Sequence, residues 1–285
     1  MRSLAKFMNI SEINIYPIKS LKGISLDSAV VEERGLQYDR RWMLTTPEGM
    51  FFTQREFPRM ATITVEVKEK GLLVSSDNTT AILIPLVPET RNTQEVTVWQ
   101  SVCAGEIYSD GVNDWFSQVL DTKCQLVYMA DDTRRRLNPR FDRGDDIVSF
   151  ADGYPLMVIG EASLADLNSR LGTPLPMNRF RPNVVVSGSE AFAEDNWKRL
   201  RVGDAIFRST KPCERCVITT VDQSTGEFDG KDPLKTFANY RMAKDVMPER
   251  YESLGVGPNA VLFGQNLVAE TPGAVIKVGD QIEII

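Results

Sequence analysis

The chain has 285 residues, of which 42% are hydrophobic and 25% charged, and it contains no histidine. That is room for two ordinary domains with real cores, and two are expected. The formal net charge of −6 argues against a nucleic-acid partner, and no apolar run reaches the length of a membrane helix. The absence of histidine removes every Ser-His, Cys-His and His-ligated metal site, so proton transfer falls to Asp, Glu, Lys, Tyr, Cys or water.

In chain order, Met1 to Asn9 carries two basic residues but no apolar segment of signal-peptide length. Four cysteines, two of them closely spaced, make no disulfide framework. Both features suggest a cytoplasmic protein. Isoleucines alternate at Ile13 and Ile15, the period of a strand that runs from Ile10 to Ile18. It opens into Tyr16-Pro17-Ile18-Lys19-Ser20-Leu21-Lys22-Gly23, which reads either as a solvated turn or as a cradle offering a cation, a hydroxyl and backbone N–H groups to an anion. Further strands are predicted at Ser28 to Glu32, Arg41 to Thr45, Ala61 to Val67, Leu72 to Ser75, Ala81 to Pro85 and Glu95 to Gln100. One helix, Gly111 to Leu120, turns Trp115, Phe116 and Val119 inward, and a strand follows at Lys123 to Met129.

The polar run Asp131 to Asp146, with the triplet Arg134-Arg135-Arg136, places the domain boundary at 130/131. The triplet is read as a solvated loop, with anion steering as its alternative. A strand and a helix from Glu161 to Leu171, ended by Gly172, come next. Arg181 precedes a proline, which biases it to an extended conformation. Val202 to Ser209 is a predicted strand leading to Lys211-Pro212-Cys213-Glu214-Arg215-Cys216, after which Val217 to Val221 has the β-branched composition of another. Cys216 would thus sit at a strand mouth, with Lys211 and Arg215 favouring its ionised form. The same spacing fits a turn holding two small buried thiols. Asp232-Pro233 starts a short helix to about Arg241, Ala243 to Pro258 is irregular, and strands at Phe263 to Ala269 and Val275 to Ile285 close the chain. Many short strands with turn punctuation and few helices make a mainly β protein of barrel or sandwich type. One Cys-x-x-Cys, where structural zinc normally uses two such halves, does not predict zinc.

Several motifs together resemble the MOSC family, in the branch of the mitochondrial amidoxime-reducing component and the bacterial YcbX-like proteins. They are Tyr16 to Gly23, Tyr38-Asp39-Arg40-Arg41-Trp42, Thr53-Gln54-Arg55, Phe180-Arg181-Pro182-Asn183, Phe263-Gly264-Gln265-Asn266 and the cysteine pair, spread over nearly the whole chain. The resemblance implies an N-terminal β-barrel domain (1–130) and a MOSC-type β-barrel domain (131–285), with a molybdenum cofactor, Mo-molybdopterin, held beside or between them. It further implies that Cys216 ligates the metal and that Lys19, Ser20, Arg40, Arg181, Asn183, Arg215 and Asn266 hold the pterin and its phosphate. Asp152, close to the metal, would orient a water or pass a proton. The implied activity is reduction of N-hydroxylated compounds such as amidoximes, hydroxylamines and N-hydroxylated bases. The sequence ends without the cysteine-rich ferredoxin segment that YcbX-like proteins often carry, so electrons would come from a separate flavin or iron-sulfur reductase. A non-catalytic cofactor carrier and a thiol-disulfide protein cycling Cys213 with Cys216 are the alternative functions.

Overall fold

A computed structural model describes residues 7–77 and 79–285; Met1 to Lys6, part of the stretch read for a leader, lie outside the described residues. The fold is mainly β, with four short α-helices among the described residues. Seven strands form a closed barrel in the order Val184–Ser187, Leu156–Gly160, Leu262–Ala269, Ala205–Glu214, Arg199–Val202, Gln281–Ile284 and Met8–Ile15, the last pairing back to the first. Closure comes from the start of the chain: Ile10 pairs with Val186, and Met8 with Ile282. A closed sheet leaves no unpaired edge. All pairings in the barrel are antiparallel except Leu156–Gly160 with Val184–Ser187. A parallel pair needs a crossover, supplied by the helix Glu161–Asn168. Buried Glu194 fixes that helix, accepting hydrogen bonds from Gly160 N (3.2 Å) and Ser163 Oγ (2.9 Å). Ile13, Ile15, Val158, Val184, Leu200, Phe207 and Leu267 fill one core.

The first half carries a second core beneath a curled four-stranded sheet, Trp42–Thr45, Gln125–Tyr128, Ser101–Ile107 and Thr93–Val98, and a three-stranded meander, Thr64–Lys68, Gly71–Ser75 and Ile82–Ile84. The helix Asp110–Leu120 packs on it through Val112, Phe116 and Leu120, four residues apart. Trp115 and Val119, expected on that face, lie at its edge; the Trp115 indole donates to Thr80 O (2.7 Å) instead.

Several expected elements differ, each for a local reason. Ala61 and Thr62 end a 3₁₀ turn, Pro58–Thr62, which proline initiates, so that strand starts only at Thr64. The strand predicted to stop at Gln100 instead turns at Trp99-Gln100 and returns as Ser101–Ile107, a hairpin without the usual Asn-Gly signal. Val202 to Ser209 contains another turn, at Gly203-Asp204. The helix from Glu161 ends at Asn168, whose side chain bonds Leu175 N and O and thereby leaves the helical path. Val275 to Ile285 is two strands, Val275–Lys277 and Gln281–Ile284. No helix among the described residues is long and apolar enough to cross a membrane.

Candidate functional site

The strand Met8–Ile15 ends at a loop whose backbone is pinned from the neighbouring motif. Asp39, fully buried, accepts Tyr16 N at Oδ1 (2.8 Å) and Arg40 Nη1 at Oδ2 (2.6 Å). The Arg40 and Arg181 guanidinium carbons each lie 4.2 Å from the centroid of the Tyr16 ring. Such cation–aromatic contacts hold two like charges near one another. The Tyr16 hydroxyl donates to Pro182 O (3.0 Å), and burial pushes its pKa up to about 12, so it stays a neutral phenol. Gly23 makes room for the ring: a Cβ there would lie 2.5 Å from Tyr16 Cε1.

This platform is one wall of a cavity of about 270 Å³ lined by Lys19, Ser20, Arg40, Asp152, Arg181, Asn183, Arg215, Cys216 and Asn266, so every residue expected at the site reaches the same space. Ser20, Arg40 and Arg181 are left-handed, with φ of 69°, 50° and 55°. Non-glycine residues persist there only where surrounding contacts over-determine them, and they cluster at functional sites. Arg181 was expected to be extended. It instead terminates the 3₁₀ turn Met177–Phe180, and its guanidinium is held by Tyr16 and by Gln223 Oε1 (3.2 Å). The proline rule disfavours the right-handed helical region, and this conformation also escapes it. Burial lowers the Arg181 pKa to about 10, which leaves it cationic at neutral pH.

Lys19 is buried and pairs with the Asp152 carboxylate while donating to Phe150 O (2.8 Å). Burial pulls its pKa down to about 8, with Asp152 opposing. Burial, the largest single influence, would raise Asp152, but the Lys19 charge and hydrogen bond together with the Arg55 charge outweigh it and hold the carboxyl well below its usual range. Although bracketed by protein groups, the Asp152 side chain is 53% exposed, towards the cavity. Ionised Asp152 suits the orienting role expected of it and not that of a proton donor. Arg135 fixes this loop, donating to Ser149 O (2.7 Å), Ala151 O (2.6 Å) and Asp152 O (3.0 Å). The arginine triplet is therefore neither a plain solvated loop nor an anion funnel: Arg135 is buried in the scaffold, while Arg134 and Arg136 pair with Glu33 and Asp142.

Cys216 follows the end of the strand Ala205–Glu214 and precedes a 3₁₀ turn, Val217–Thr220, where a strand was expected. Thr219 Oγ1 bonds Cys216 O (2.9 Å) and Thr220 Oγ1 bonds Val217 O (2.8 Å), and such back-bonding competes with a sheet ladder. The expected charges beside the sulfur are also redistributed. Lys211 pairs with Glu214; Arg215 donates to Cys213 Sγ (3.1 Å), Met157 Sδ (2.9 Å) and Phe180 O (2.7 Å). Arg55, 161 residues away in sequence, donates to Cys216 Sγ at 3.1 Å. Burial pushes the Cys213 thiol up.

Sequence reasoning gave Arg55 no role, although Thr53-Gln54-Arg55 stood out as a motif. Its neighbour Gln54 exchanges hydrogen bonds with Gln223 (2.9 and 3.2 Å) and donates to Ser20 O (2.7 Å), joining the two halves under the cavity. Asn183 spends its amide on Arg40 (3.1 Å), Met157 N (3.2 Å) and Asn14 O (3.1 Å), so it acts on the cavity through Arg40. Ser20 Oγ and the Asn266 amide have no protein hydrogen bond among the described residues and lie open to a ligand.

No cluster of three or more Cys, Asp or Glu among the described residues could bind a metal by itself. A metal that brings its own sulfur ligands needs only one protein thiolate, and its anionic tail needs fixed cations and unspent donors. Cys216, the Lys19, Arg40 and Arg181 charges, and the open Ser20 and Asn266 groups are such a set. Fold and cavity together define a β-barrel protein whose cavity chemistry fits a soft-metal, anionic cofactor.

The comparisons with known proteins agree. Residues 7–123 match the MOSC N-terminal beta barrel domain and residues 145–283 the MOSC domain, so the chain belongs to the MOSC family, whose members are associated with the molybdenum cofactor. It is 34% identical to mitochondrial amidoxime-reducing component 1 of Mus musculus, covering 100% of this chain and 84% of that protein. The corresponding Homo sapiens protein is also 34% identical, over 100% and 85%. Molybdenum cofactor sulfurase of Oryza sativa subsp. japonica is 33% identical, over 90% of this chain and 34% of that protein.

Proposed function

We propose that this protein is a molybdenum-cofactor oxidoreductase that reduces N-hydroxylated compounds, amidoximes and hydroxylamines among them, with electrons from a separate flavin or iron-sulfur protein. The observation that carries the reading is Cys216 facing a cavity whose other walls carry Lys19, Arg40 and Arg181, while the second cysteine of the lining, Cys213, is engaged by Arg215. Cys216 is the metal ligand, and those three cations with Ser20 and Asn266 hold the pterin and its phosphate. When bound, the cofactor supplies two-electron oxygen-transfer chemistry that no side chain of this protein offers.

The chain's own residues bind, orient and manage charge. The net reaction takes an N–OH group, two electrons and two protons to an N–H group and water. Arg55, bonded to the Cys216 sulfur, places a permanent positive charge beside the thiolate that would ligate the metal, where it would stabilise negative charge developing at the site. Asp152, held ionised, orients water or the substrate N–H at the same edge and keeps Lys19 charged. Lys19, with a pKa of about 8, is the cavity group best matched to releasing and regaining a proton near neutrality. Cys103, Cys124, Cys213 and Cys216 are all free thiols, in keeping with a reducing compartment such as the cytoplasm.

The test combines metal analysis with an amidoxime-reductase assay, using a chemical reductant, on the protein from a cofactor-producing host and on Cys216→Ser. Parent turnover with near-complete loss in Cys216→Ser is expected. A loaded parent that turns over no N-hydroxylated compound would instead identify a carrier, and full turnover by Cys216→Ser would remove the assigned ligand.

A further inference from the structure

The hairpin between Thr93–Val98 and Ser101–Ile107 turns on Trp99, a residue that neither the motifs nor the cofactor assignment involves. Its φ is 56°, in the left-handed region, where turn positions normally carry Gly or Asn. A bulky side chain is uncommon there. The indole is 47% exposed, so close to half of its surface stays open.

Its surroundings connect it to the site. The Arg55 guanidinium carbon lies 4.6 Å from the Trp99 ring centroid, and the same guanidinium bonds Cys216 Sγ at 3.1 Å. Phe51 meets the ring edge-on at 5.1 Å, holding its orientation. Trp99 also helps to hold the Asp152 carboxyl down, after Lys19 and Arg55. Met50 and Val102, 48% and 60% exposed, flank Thr97 just below the turn and extend the apolar rim. An aromatic plate, steadied on its edge by Phe51 and by the Arg55 cation, therefore stands one guanidinium away from the Cys216 sulfur with surface left open.

We propose that Trp99 determines substrate specificity: its open indole surface stacks the flat conjugated group bearing the N–OH function, which favours aryl and heteroaromatic N-hydroxylated compounds over small aliphatic ones. The proposal rests on the reductase reading above. Stacking of this kind changes affinity by a few-fold up to about tenfold, so it acts on selectivity and not on the chemical step.

The experiment uses the full chain loaded with its cofactor, reduced by viologen so that no protein donor is needed. The ratio of kcat/KM for benzamidoxime to that for acetamidoxime is measured in the parent, Trp99→Ala and Trp99→Phe. Trp99→Ala should lower the ratio about tenfold, mostly through the KM of the aryl compound, and Trp99→Phe should restore most of it. In parallel, benzamidoxime should quench the parent's tryptophan fluorescence, an effect lost in Trp99→Ala, whereas acetamidoxime should not. An unchanged ratio overturns the proposal, as does an equal loss of kcat/KM for both compounds. If the loaded parent reduces neither compound, the reductase reading fails on its own. The titration then decides the stacking claim separately, and absent quenching by benzamidoxime overturns it.

Discussion

Lys19 and Gly23 show how single residues set the site's properties. Because burial lowers Lys19 from its ordinary 10.5 to about 8 while Asp152 stays ionised, the cavity loses one positive charge as pH rises through 8. Retention of an anionic pterin should therefore weaken between pH 7 and 9, measured as cofactor remaining after gel filtration, and Lys19→Met should flatten that dependence. The stability signs differ for the two partners. Asp152, lower in the fold than unfolded, contributes above its unfolded pKa and loses that contribution as pH falls through acid. Lys19, also lower in the fold, burdens the fold below about 8, a burden relieved as pH rises toward 10.5. Gly23 is needed for close approach, not for its φ. Gly23→Ala would force the Tyr16 ring from under Arg40 and Arg181. It should cost about 1–3 kcal/mol in urea unfolding and lower cofactor content, because overpacking displaces the two cations together.

At the scale of an element, the 3₁₀ turn Val217–Thr220 decides where the Cys216 sulfur points. Its strand-like composition is overruled by two hydroxyl-to-carbonyl bonds and by the terminating strand Ala205–Glu214. Thr219→Val keeps the volume and removes one of these bonds. It should cost about 1 kcal/mol and lower molybdenum content more than it lowers the melting temperature, since the segment is then freer to extend. Metal analysis beside thermal unfolding checks this. The left-handed Arg181 makes the same point: a proline rule names the conformation to avoid, and the Tyr16 ring 165 positions earlier selects among those that remain.

Across the whole molecule, the first strand belongs to the barrel that the last half of the chain builds. Without Met8–Ile15, Val184–Ser187 and Gln281–Ile284 would both expose an unpaired edge, a template for aggregation. Residues 131–285 expressed alone should therefore be aggregated or molten, and joining residues 7–32 to them should restore a cooperative thermal transition. A cooperative fold in the isolated segment would contradict this. The Gln54–Gln223 exchange adds a polar tie between the halves.

Period-two alternation and turn residues were enough to read a mainly β chain and most of its strands, while the residues that share the cavity were named by the family resemblance that the short motifs carry. Those signals are local, and each residue carries its own chemistry wherever the chain places it. Tertiary structure alone decided that Arg55 rather than Lys211 or Arg215 meets the Cys216 sulfur, that Trp99 packs on that arginine, and that the first strand closes the barrel built by the second half of the chain. These contacts join positions from 44 to 274 residues apart, set by strand register and barrel closure, on which neither periodicity nor spacing bears.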